Sequence, residues 1–330
     1  MSREQIIGKN LSEESKETAR SALDKRRERL EQPFKGEYTK DELDIRFIET
    51  INWYIKKQFE ELEIDGPFPS LTLYQFHLLS AESFAKNFPQ RAARGADGFY
   101  DSRGDAIIIN KDAPRQPNDR RDPRLRLYMT MMHEAMHAIS ARKFSVNEER
   151  LRQIKIGYQI GKPYDDRQLL VGVNEVITDI VARIFFQRYQ KQIEKNFNLK
   201  YPEGNLWAGY VPYRNVWYLI ANKISEETGK SVGKVNARYQ RGLFTGEMMH
   251  LREIEEIFGK DALRVLAALG FRETGAEARQ QLRDTKKLDD MVLHFFQSKD
   301  PNEKEELAEE ILARSKQTKQ VEKDPPPPAR

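Results

Sequence analysis

The segment Met131-Met-His-Glu-Ala-Met-His-Ala-Ile139 constrains this chain more than any other, because it sets two histidines four residues apart inside a strong helical pattern. Asp122 is a good N-cap and Pro123 a good first residue, and the helix they open is expected to run to about Arg142. At about 100° per residue, positions four apart lie roughly 40° apart on one helix face. His133 and His137 can therefore reach a single ion from successive turns. Glu134 projects to the side of that face, where it can take a proton from a water activated by the metal and later deliver it to a leaving amine. The chain has only five histidines, so composition alone would produce an HExxH match in fewer than about 1 in 100 such chains.

Two histidines do not complete a hydrolytic metal site, which needs three protein ligands and one open position. The chain has no cysteine, so the third ligand must be His, Asp or Glu, and disulfides, thiolate metal sites and cysteine nucleophiles are all excluded. A second helix is expected from about Val171 to Lys195, with Val176, Ile177, Ile180, Val181, Ile184 and Phe185 on a broad apolar face. It carries Asn174-Glu175-Val-Ile-Thr-Asp179. Glu175 and Asp179 share the other face, so Glu175 can be the third ligand. Asp179 can accept a proton from the non-coordinating nitrogen of a ligand histidine and fix its tautomer. Read alone, Glu175 is a solvated helix residue, Asp179 a partner for Arg183 and Asn174 a residue at a helix start; the first motif is what raises them to candidates.

These two motifs, His133-Glu134-x-x-His137 and Asn174-Glu175-x-x-x-Asp179, resemble those of the gluzincin clan, the thermolysin-like zinc metallopeptidases. The resemblance covers about Phe99 to Arg188. The 38-residue separation of His137 from Glu175 exceeds that of thermolysin itself, which marks a divergent or minimal member. The resemblance implies an α+β, zincin-like fold: a small twisted mixed sheet with the active-site helix, a helical C-terminal subdomain below it and a cleft between them. It implies one Zn2+ per chain and a peptide or protein substrate that adds to an edge strand, for which the Gly98–Asn110 hairpin is the candidate. It also implies an oxyanion donor from the lower subdomain. Tyr213 is the first choice and Tyr210 the second, from Tyr210-Val-Pro-Tyr213, while Tyr158 and His250 stay open. Asn174 and Tyr210 are candidates for substrate contact.

The remaining sequence organises around this centre. A helical region spans residues 1–66, with helices expected from Ser12 to about Gln32 and after Thr39, where Ile45, Phe47, Ile48, Ile51, Tyr54 and Ile55 supply the apolar positions. Residues 67–165 form the upper subdomain, with β-formers at Leu71–Phe76 and a hairpin from Gly98 to Asn110 turning at Asp101–Gly104. Residues 166–300 form the lower helical subdomain. Residues 301–330 carry a charged helix from Pro301 to about Arg314 and a polar tail ending in Pro325–Pro328, expected to be disordered. The stretch holding Gly157, Gly161 and Gly172 shows no regular pattern.

A formal charge of +4, from 56 basic and 52 acidic side chains, is too balanced to argue for nucleic acid or an anionic membrane. With no apolar leader and no long apolar run, a cytoplasmic protein is expected; oligomeric state stays open. Met129, Met131, Met132 and Met136 read as core filler rather than a redox feature, and His77 and His294 as structural. A rival reading keeps the fold and metal in a catalytically silent module that binds or regulates a protein partner. A third has the enzyme cleave one dedicated partner. An intact Glu134 beside a full ligand set favours catalysis.

Overall fold

The computed structural model describes residues 4–7, 12–93, 95–114, 119, 121–147, 150–162, 165–202, 211–270 and 278–317. Within them the chain is α+β. In order come β1 (Glu4–Ile7), α1 (Glu13–Glu31), α2 (Glu42–Glu61), β2 (Phe76–Leu79), α3 (Ala81–Asn87), α4 (Pro89–Ala93), β3 (Gly98–Asp101), β4 (Ala106–Asn110) and α5 (Pro123–Ile139). Then follow β5 (Arg142–Asn147), β6 (Arg150–Ile156), β7 (Gln159–Lys162), β8 (Asp165–Leu169), α6 (Val171–Arg188), α7 (Gln190–Phe197), α8 (Val211–Thr228) and α9 (Val232–Thr245). Last among the described residues come α10 (Arg252–Phe258), α11 (Ala262–Leu266), α12 (Ala278–Gln297) and α13 (Pro301–Gln317). The strands run in the orders β1-β5-β6-β7-β8 and β2-β4-β3.

Two compact units emerge, each discontinuous in sequence: Met1–Gly157 with Thr178–Gly209 and Gln240–Gly246, and Tyr158–Ile177 with Tyr210–Tyr239 and Glu247–Arg330. Helices α6 and α9 each supply residues to both.

In the first unit, α5 is the central element. Every residue from Leu125 to Ile139 except Thr130 is buried, so neighbouring elements must cover it on all sides. Helix α2 supplies Phe47, whose ring stacks on Tyr128 at 4.0 Å and 5°, and Tyr54, whose hydroxyl donates to the Val181 carbonyl of α6 at 3.0 Å. Burying each such aromatic contributes about 1.5–3 kcal/mol, and together they tie α5 and the latter part of α6 to one support. The four methionines of α5 are 0–3% exposed and pack in this core. Antiparallel β3 and β4 form the expected hairpin, with Asp101 aligned with Ala106 and Gly98 with Ile109. The Asp101 Oδ1 accepts the amides of Arg103 and Gly104, which closes the turn.

Several expectations are corrected. Leu71–Phe76 is not a strand throughout: Leu73–Gln75 is a 3-10 turn in which the Gln75 side chain accepts the Thr72 amide, and β2 begins at Phe76. The α5 helix ends at Ile139, short of Arg142, because Ser140 turns extended and the Ala141 amide bonds instead to the Leu243 carbonyl. The irregular stretch around Gly157 and Gly161 is four strands, β5 to β8. The helix expected to Lys195 breaks at Tyr189 between α6 and α7. The N-terminal region is not wholly helical, since β1 pairs in parallel with β5, Glu4 opposite Arg142. The Pro325–Pro328 tail lies outside the described residues.

Helix α1 buries Ala19 and Leu23 and is also attached through charge: Arg26 binds Asp101 at 2.6 Å and Arg27 pairs with Glu4. Burial alone would raise the Asp101 carboxyl, but hydrogen bonds from Arg26 and from the Gly104 and Arg103 amides outweigh it and hold the group below its ordinary value. A carboxyl depressed in the folded state adds stability above its unfolded pKa of about 3.9 and loses it as pH falls through the folded value. An Asp101→Asn variant is therefore expected to melt below wild type at pH 7, with the gap closing under acid, below about pH 4. A gap that persists unchanged at pH 3 would show that this charge contributes nothing.

Candidate metal centre

The site is built from two helix faces. Asp122 caps α5 by accepting the amides of Arg124 and Leu125, a contribution of about 1 kcal/mol. Three turns later His133 and His137 emerge on one side, both 7% exposed, with their Nε2 atoms 3.1 Å apart and their rings nearly perpendicular at 80°. Glu175 lies in the second turn of α6 and is partly exposed. One ligand atom from each of His133, His137 and Glu175 lies within 4.8 Å of the other two, and no other such group of His, Asp or Glu occurs among the described residues.

The donor set fits zinc. Two imidazole nitrogens and a carboxylate oxygen are zinc's usual non-thiolate ligands, with bonds of about 2.0–2.2 Å; tetrahedral bonds of that length place donors about 3.4 Å apart. The two imidazole nitrogens already sit near that spacing, and the carboxylate is within reach of it.

Around these three the other candidates take distinct places. Glu134 is 8% exposed on α5. Asp179 is 2% exposed one turn beyond Glu175 on α6. Thr178, absent from the sequence reading, is fully buried with its Oγ1 3.5 Å from His137 Nδ1, the outer limit of a hydrogen bond. It meets the ring nitrogen that does not face His133. The signal that could have found Thr178 is its place three residues after Glu175, on the same face of α6.

Asn174 is fully buried, and its Oδ1 accepts the Tyr158 amide at 3.0 Å, which anchors the start of α6. Tyr213, on α8, is 6% exposed, and its hydroxyl lies against Gly270, next to the first turn of α6. Tyr158 is fully buried: its hydroxyl donates to the Tyr239 carbonyl at 2.7 Å and sits 2.5 Å from His250 Nε2. A phenol has one proton to give, so Nε2–H of His250 must be the donor in that second bond. Burial, followed by the charges of Tyr239 and Glu247, pushes the Tyr158 phenol well above its ordinary value, so it keeps its proton. Tyr210 lies outside the described residues. His77 is 2% exposed and pairs with Glu37 at 3.0 Å, while His294 meets Glu303 at 3.2 Å; both stand apart from the centre.

Compared with protein-family models, curated proteins and solved structures, the chain matches none. No helix among the described residues is long and apolar enough to cross a membrane.

Proposed function

We propose that this chain is a zinc-dependent metallopeptidase of zincin-like fold, with His133, His137 and Glu175 as ligands of one ion and Glu134 as catalytic base. The observation that carries the reading is the convergence of those three donors from two helices, with a buried carboxylate next in sequence to the first of them. A bound zinc would supply Lewis acidity, polarising the scissile carbonyl and acidifying water.

The protein's own groups do the rest. Glu134 takes the proton of the attacking water and returns it to the leaving amine. Thr178 accepts a hydrogen bond from Nδ1–H of His137 and so fixes which ring nitrogen faces the ion. Asp179, buried one turn beyond Glu175, is the second candidate for that role. Tyr213 donates to the developing oxyanion. The substrate is an extended peptide: β3 ends its sheet, paired only with β4 among the described residues, so its outer backbone groups can take another strand. The cytoplasmic location expected above is part of this proposal.

The test is metal content of protein purified without chelator, by elemental mass spectrometry. Wild type is expected to carry about one zinc per chain, with the metal lost or strongly depleted in His137→Ala and Glu175→Ala. A wild-type chain that stays zinc-free after zinc is added back would end the peptidase reading.

A further inference from the structure

We infer that Asp289, on α12, is a positioning residue for the Glu175 carboxylate. The inference rests on the metal site proposed above and adds a remote determinant of its affinity.

The first amides of a helix have no partner within it. At the start of α6 the turn that follows α11 takes up the Gly172 amide, which bonds to the Leu269 carbonyl at 3.0 Å, and just before the helix the Leu170 amide bonds to the Ala267 carbonyl at 3.4 Å. The approach is close. A methyl group at Gly172 would fall 2.8 Å from the Leu269 carbonyl oxygen, and one at Gly270 would fall 2.9 Å from the Gly172 nitrogen and 3.1 Å from the Tyr213 hydroxyl. Gly270 also has φ +72°, in the left-handed region where a side chain is strained. Backbone thus lies close on backbone here, with the Leu269 side chain and the Tyr213 hydroxyl packed into the same contact.

What holds that turn is Asp289. It is 4% exposed, and its Oδ1 accepts the Gly270 amide at 3.0 Å. A buried carboxylate is costly unless hydrogen-bonded, and this bond links α12 to residues 269–270. Residues 269–270 hold Gly172, and Gly172 lies one helical turn before Glu175. A helix transmits a shift over three residues, about 4.5 Å of axis, with little loss. Metal donors must be held to about 0.5 Å, so a small movement at Gly270 moves the carboxylate out of range.

The experiment compares zinc affinity, by chelator competition, and the visible spectrum of the Co2+-loaded protein in Asp289→Ala and Asp289→Asn, each in the wild-type and Glu175→Ala backgrounds. Asp289→Ala is expected to weaken zinc about tenfold or more and to alter the cobalt bands. Asp289→Asn retains an acceptor for the Gly270 amide and is expected to restore both. In the Glu175→Ala background Asp289→Ala should have no further effect, since the group it positions is gone. Additive losses, or an Asn variant as weak as the Ala variant, would overturn the inference. If Asp289→Ala does not fold, Asp289→Glu replaces it, keeping the carboxylate on a longer arm, with an intermediate loss expected and wild-type affinity counting against the role.

Failure of the underlying site looks different, because Glu175→Ala would then bind zinc like wild type. In that case amide hydrogen exchange at residues 170–174 still decides whether Asp289 holds the start of α6: faster exchange in Asp289→Ala than in Asp289→Asn supports the mechanical link, and equal rates remove it.

Discussion

Replacement of Glu134 by glutamine is expected to cut peptide hydrolysis by about 10³-fold while zinc content stays at the wild-type level. Glutamine has nearly the same shape and keeps hydrogen-bonding atoms, so the packing around this 8%-exposed side chain survives. What it lacks is basicity: an amide does not take the proton of the attacking water or carry it to the leaving nitrogen. A loss of that size corresponds to about 4 kcal/mol of transition-state stabilisation. The measurement pairs kcat/KM on a mixed peptide library with metal analysis of the same preparation. Hydrolysis at the wild-type rate would remove Glu134 as the base. Loss of zinc along with activity would instead make Glu134 part of the metal's support, and a metal-binding module without catalysis predicts no hydrolysis in either protein.

The legible parts of the chain are those whose signals are local. Ser12 and Asp122 announce the starts of α1 and α5 because a cap bonds only to amides two or three residues on. The β3–β4 hairpin is readable for the same reason, its turn being closed by Asp101 onto its own neighbours. His133 with His137, and Glu175 with Asp179, are pairs set by helical spacing alone; the meeting of His133, His137 and Glu175 across two helices was expected from their chemistry.

The missed elements depend on partners far away in sequence. β1 is a strand because it lies beside β5, about 138 residues later in the chain. β5 and β6 carry Arg142, Lys143, Arg150, Arg152 and Lys155, with no Asn-Gly or other turn pair between them, so neither alternation nor a turn marks them. The division of α6 between two compact units follows from tertiary packing alone. Thr178 and Asp289 were missed on similar grounds. An aspartate in a charged helix has no distinguishing pattern, and a threonine in an apolar one is marked only by its spacing from Glu175; His137 Nδ1 and the Gly270 amide give the two a role.

Removing the metal is expected to lower the melting temperature of the wild-type chain by roughly 5 °C, and this shift should vanish in His137→Ala. A ligand that binds only the folded chain stabilises it by about 4 kcal/mol when free ligand is a thousand times its dissociation constant. A chain of 330 residues has a large unfolding entropy, so each kcal/mol moves the midpoint by only about 1–2 °C. The effect arises because the three donors come from separate helices: two imidazoles from α5 and a carboxylate from α6 are dispersed by 38 residues of chain in the unfolded state and gathered within 4.8 Å in the folded one. Scanning calorimetry with and without chelator, on wild type, His137→Ala and Glu134→Gln, separates the contributions. Glu134→Gln should keep the full shift, since it spares the ligands. A wild-type midpoint indifferent to chelator would mean that no ion joins α5 to α6, and the two histidines at 3.1 Å would then contact each other without a metal between them.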